Sequence, residues 1–98
     1  MDDTFDWNRM RAFLTTAEEG SLSAAARKLG LTQPTLGRQV SGLEEELGLA
    51  LFERSARSMV LTEAGRDLLA DARAMGEAAT RIGILAQGRT QGLDGTER

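Results

Sequence analysis

The sequence predicts a mainly α-helical fold, with three short helices, a small two-stranded β hairpin and a longer fourth helix. Two observations carry this. Apolar residues recur at steps of three and four in four stretches, each opened by Asp, Ser or Thr, the first three closed by glycine. Between the third and fourth stretches, Phe52 to Leu61 breaks that rhythm and reads as two short extended legs around Ser55-Ala56-Arg57. A chain of 98 residues with 41% hydrophobic content supports one small domain with one core.

The first helix starts at Asp6, a good N-cap, and stops at Gly20. Trp7, Met10, Phe13, Leu14 and Ala17 form its apolar stripe, and Asn8, Arg9, Arg11, Thr15, Glu18 and Glu19 fill the remainder. Trp7 beside Met10 and Leu14 reads as core rather than as a stacking platform. A second, short helix follows over Ala24 to Leu29, with Ser23 as expected N-cap and Gly30 as terminator. Its three alanines let another backbone come close.

Only Gly30, Leu31 and Thr32 separate that helix from the third. Such a connection is the helix-turn-helix pattern, whose second helix enters the DNA major groove, although an ordinary helical hairpin has the same turn. In the third helix Leu36, Val40, Leu43 and Leu47 make the buried stripe. About 180° away lie Pro34, Arg38 and Ser41, flanked by Thr35 and Gly42, a small polar face with one cation. Thr32 caps this helix, Pro34 suits its first turn and Gly48 ends it. The carboxylates Glu44, Glu45 and Glu46 read as a solvated helix end.

The hairpin that follows, Phe52-Glu53-Arg54 and Ser58-Met59-Val60-Leu61, is a candidate wing. Its Arg54 and Arg57 suit phosphate or minor-groove contact, because a cation on a projecting loop meets the negative potential of a nucleic-acid backbone. Thr62 caps the fourth helix. Along it Leu68, Ala72, Met75, Ala79, Ile82 and Ala86 alternate steps of four and three, the seam of a two-stranded coiled coil and a candidate dimer contact. A plain amphipathic helix packed on its own domain gives the same pattern. The glycine-rich segment 88–98 reads as a flexible linker or tail.

Composition excludes several function classes. Cysteine and histidine are both absent, which removes disulfide frameworks, thiolate metal sites and the commonest general base. No metal, cofactor or enzymatic activity is expected. There is no apolar run long enough to span a bilayer and the first residues are acidic, so the expected location is cytoplasmic. Net charge is −3 and the isoelectric point about 4.9, which as totals argue against nucleic acid. Their distribution argues otherwise: between Glu19 and Glu44 there is no acid, while Arg27, Lys28 and Arg38 are present. Between Glu53 and Glu63 only Arg54 and Arg57 are charged.

Taken in order, Ala17-Glu18-Glu19-Gly20-Ser21-Leu22-Ser23-Ala24-Ala25-Ala26, Gln33-Pro34 with Arg38-Gln39, Leu43-Glu44-Glu45-Glu46-Leu47-Gly48, Leu51-Phe52-Glu53-Arg54 and Leu61-Thr62-Glu63-Ala64-Gly65 resemble the N-terminal domain of LysR-type transcriptional regulators over residues 7–86. The resemblance implies a winged helix-turn-helix over 1–61, a linker helix over 62–87 that pairs with a second subunit, and a dimer on an interrupted inverted repeat of double-stranded DNA. It implies base reading by Gln33, Pro34, Thr35, Gly37 and Arg38, and phosphate or wing contacts by Ser23, Thr32, Arg54 and Arg57. Gly37 stands where the family commonly has serine, and Ser55-Ala56 where a glycine-bearing turn is common. The inducer-binding domain of such regulators is absent, so the chain is expected to be the DNA-binding half of a longer protein or a short stand-alone form. A helical dimerisation or adaptor module that never touches DNA is the alternative from another class.

Overall fold

The computed structural model describes residues 6–55 and 58–97. They form α1 (Trp7–Glu19), α2 (Leu22–Leu29), α3 (Gln33–Leu47), β1 (Phe52–Arg54), β2 (Met59–Leu61) and α4 (Glu63–Glu97). The expected mainly α fold with a two-stranded hairpin is present. The strands pair antiparallel in the register Phe52 with Leu61, Glu53 with Val60 and Arg54 with Met59.

Helix α1 is the centre of the packing. Met10, Phe13 and Leu14 are buried as its apolar stripe predicts, and Trp7 packs half-buried against the same core. Thr15, assigned to the polar side by the sequence pattern, is buried as well, together with Ala12 and Thr16. The reason is that α1 touches α2 and α3, and also α4 and β2, so more than one of its faces leaves water. Phe13 stacks obliquely on Phe52, with ring centroids 5.5 Å apart, which fixes the wing base to the helical core. Leu36, Val40 and Leu43 of α3 complete that core. Each large apolar side chain buried there contributes about 1.5–3 kcal/mol.

The caps follow the sequence with one correction. Asp6 accepts the N–H of Asn8 and opens α1, and Thr32 accepts the N–H of Thr35 and opens α3. Helix α2, however, begins at Leu22 with Ser21, not Ser23, as N-cap. Ser21 is extended (φ −154°, ψ 153°) and its Oγ accepts the N–H of Ala24 at 3.2 Å, so Ser23 lies inside the first turn. Gly20, Gly30 and Gly48 close the first three helices at φ of 81°, 70° and 68°, where a Cβ would be strained.

Helix α4 departs most from expectation. Leu68 packs against the chain's own core and Ala72 is buried in it, so the first two seam positions are occupied within the molecule. Met75, Ala79, Ile82 and Ala86 remain exposed, as do Ile84 and Leu85 off the seam. The helix also passes the expected end at residue 87 and runs to Glu97, through the stretch expected as a tail. Glycine permits a reversal without imposing one: the positive φ of Gly20, Gly30 and Gly48 is not adopted by Gly76, Gly83 or Gly88, and no proline follows. Among the described residues no helix is long and apolar enough to cross a membrane.

Candidate nucleic-acid interface

Burial of Leu36, Val40 and Leu43 turns the opposite side of α3 outward. Gln33, Pro34 and Arg38 are exposed there, with Thr35, Gly37 and Ser41 partly exposed between them. Two threonines order this surface. Thr32 Oγ1 accepts the N–H of Thr35 at 3.2 Å and donates to Thr35 Oγ1 at 2.9 Å, and Thr35 Oγ1 in turn accepts from Arg38 Nη2 at 3.2 Å. The guanidinium of Arg38 is therefore laid back along the helix by a chain that starts at the cap. Gly37 adds no side chain beside it, and a Cβ built there meets only open space.

Ser23 lies on the rim of a cleft of about 210 Å³, where the N-termini of α2 and α3 meet the wing. Gln33, Ser55 and Ser58 line the same cleft, so the fold brings Ser23 and Gln33 together. Ser55 and Ser58 close the wing: Ser55 N–H donates to the Ser58 carbonyl at 3.0 Å, and Ser55 Oγ accepts the Ser58 N–H at 3.1 Å. Arg57 lies outside the described residues. The hydroxyl hydrogen of Thr32 is directed to Thr35, Thr35 N–H and Leu36 N–H are taken by Thr32, and Pro34 has no N–H. Of the α3 first-turn donors only the Gln33 N–H is without a partner among the described residues.

Arg54 does not project freely from the wing. Its Nη2 donates to Ser41 Oγ at 3.0 Å and lies 3.6 Å from Glu44 Oε1. The other Glu44 oxygen accepts the N–H groups of Leu51 and Phe52 at 2.8 and 3.2 Å. Glu44 is thus the joint between α3 and the wing, with its side chain only 18% exposed, and not the solvated helix end its neighbours suggest. Glu46 is also engaged, 3.1 Å from Arg9 of α1. Arg9 reaches it across Gly42, where a Cβ would lie 2.9 Å from Arg9 Nε. Gly42 therefore serves the α1–α3 contact and not the outer face.

Periodicity could not reveal Glu44, because its partners lie where the chain turns back. Gly65 carried a signal: a glycine early in a helix suggests a close approach. It is buried, and a Cβ there would collide with the Leu51 carbonyl. Thr62 works at the same spot, accepting the Gly65 N–H at 3.0 Å and donating from Oγ1 to the Ala50 carbonyl at 2.6 Å.

A family described as bacterial regulatory helix-turn-helix proteins of the lysR family matches residues 7–66. The HTH-type transcriptional regulator TfdS of Cupriavidus pinatubonensis (strain JMP 134 / LMG 1197) is 50% identical over 70 residues, 71% of this chain and 24% of TfdS. The chain thus spans about a quarter of that relative's length. Among solved structures, the DNA-binding domain of CbnR in complex with DNA superposes with a TM-score of 0.76 at 38% identity, covering 88% of this chain and 99% of that one. The DNA-binding domain of BenM with benA site 1 DNA gives 0.76 at 32% identity, covering 85% and 96%.

Proposed function

Because the chain belongs to the lysR family of bacterial regulatory helix-turn-helix proteins, we propose that it binds double-stranded DNA sequence-specifically, as the DNA-reading part of a cytoplasmic transcriptional regulator. The observation that carries this is the outer face of α3, where Arg38 is exposed among small side chains and oriented through Thr35 and Thr32. The likeness of the whole fold to the DNA-bound domains of CbnR and BenM supports it.

In this reading α3 lies in the major groove. Arg38 donates two hydrogen bonds to guanine O6 and N7, and Gln33 pairs with adenine N6 and N7, while Pro34, Thr35 and Gly37 shape the surface around them. Phosphates are held around the cleft, by Ser23 and by the N–H groups of Leu22 and Ser23, which have no partner among the described residues. Thr32 acts through Thr35 and Arg38. Arg54 meets the backbone beside α3, and Arg57 enters the minor groove. Residues 1–61 read DNA and 62–87 pair with a second copy through Met75, Ala79, Ile82 and Ala86, placing two reading helices on an inverted repeat.

Titration of the chain with duplex selected from a random pool, and with a scrambled duplex, tests this at two salt concentrations. The expected result is tighter binding of the selected duplex and a binding constant that falls steeply with salt. Binding that is absent at low salt, or independent of salt, overturns the reading and favours the protein-binding adaptor.

A further inference from the structure

Glu44 joins α3 to the wing through both of its oxygens. Oε2 anchors the backbone N–H groups of Leu51 and Phe52, which lead into β1, and Oε1 faces the guanidinium of Arg54. Ser41, one turn beyond Arg38 on α3, accepts from the same guanidinium nitrogen. Arg54, one of the wing's two cations, is thereby drawn onto the flank of the reading helix, although its side chain is 47% exposed. A cation free on a loop meets phosphates of any sequence, because the phosphate charge carries no sequence information. A cation tethered to α3 reaches phosphate only where α3 itself is seated.

We propose that Glu44 is a specificity-setting positioning residue, which confines Arg54 to the register of the reading face and so limits binding to non-cognate DNA. This rests on the DNA-reading function proposed above. Glu44→Gln keeps the side chain's shape and an oxygen for the Leu51 and Phe52 N–H groups, but removes the charge that holds Arg54. Ser41→Ala removes the second tether and leaves the wing backbone untouched.

The test uses the whole chain, with each substitution alone and combined with Arg54→Ala, titrated with a duplex selected by the unsubstituted protein and with a scrambled one at two salt concentrations. In each single variant the ratio of selected to scrambled affinity falls, by about threefold in Glu44→Gln, the scale of a partly exposed ion pair. Binding to the scrambled duplex tightens and its salt dependence steepens. With Arg54 replaced by alanine, neither substitution has a further effect on the ratio. An unchanged ratio in the single variants overturns the inference, as does a fall that persists without Arg54. Should Glu44→Gln fail to fold by its thermal transition, Ser41→Ala decides. An unsubstituted protein that does not distinguish the two duplexes overturns the DNA-reading function itself.

Discussion

Arg38 shows how far one side chain depends on its neighbours for direction. Its guanidinium is oriented by Thr35, which is oriented by Thr32, so the cap of α3 also sets the reach of its exposed cation. Arg38→Ala is expected to flatten preference among base-pair variants of a selected site, by about 1–3 kcal/mol at one position. Competition binding across a set of single-base variants measures it, and equal loss on selected and scrambled duplex sinks the base-reading role. Gly65 makes the opposite point, since what it contributes is the absence of an atom. Gly65→Ala forces a Cβ toward the Leu51 carbonyl, and the expected loss is about 1–3 kcal/mol by denaturant unfolding. Arg38 was legible in the sequence because a helical stripe of leucines and valine dictates what stands opposite it. Glu44 was not, because its chemistry is fixed by where the chain returns seven residues later.

At the scale of elements, order and type followed from periodicity and punctuation, whereas boundaries depended on which of several good caps the packing selected. Two serines precede the alanines, and the helix starts at Leu22, so that the one not expected, Ser21, caps it and Ser23 lies inside the first turn. Ser21→Ala is accordingly expected to lower stability by about 1 kcal/mol, with a smaller effect from Ser23→Ala. Thermal or denaturant unfolding of the two variants compares them, and an equal or larger loss in the Ser23 variant contradicts the assignment. The end of α4 was hidden for a related reason. Glycines stop α1, α2 and α3 where the backbone reverses to pack the next element. Along α4 nothing calls for a reversal at Gly83 or Gly88, and the helix goes on.

For the whole molecule, the long axis of 57 Å against 32 and 20 Å reflects α4 leaving the body that the other elements form. Its exposed stretch carries Ile82 at 66% and Leu85 at 63% exposure, an apolar surface that a second copy would cover. Ile82→Asp is expected to convert a dimer to monomer in sedimentation analysis, while binding to one half-site persists. An unaltered dimer removes that stretch of α4 from the interface. The body and its outward-facing α3 were foreseeable from sequence. The partition of the seam, with Leu68 and Ala72 turned inward and later positions left exposed, depends on how α4 crosses α1 and has no linear signature.

The junction of Thr62 and Gly65 with Ala50 and Leu51 sets the angle at which α4 leaves the body as a long arm. With 35 residues at about 1.5 Å each, a tilt of about 5° at the junction carries the far end of the arm about 5 Å. A small shift of packing against one carbonyl is therefore magnified along the length of α4.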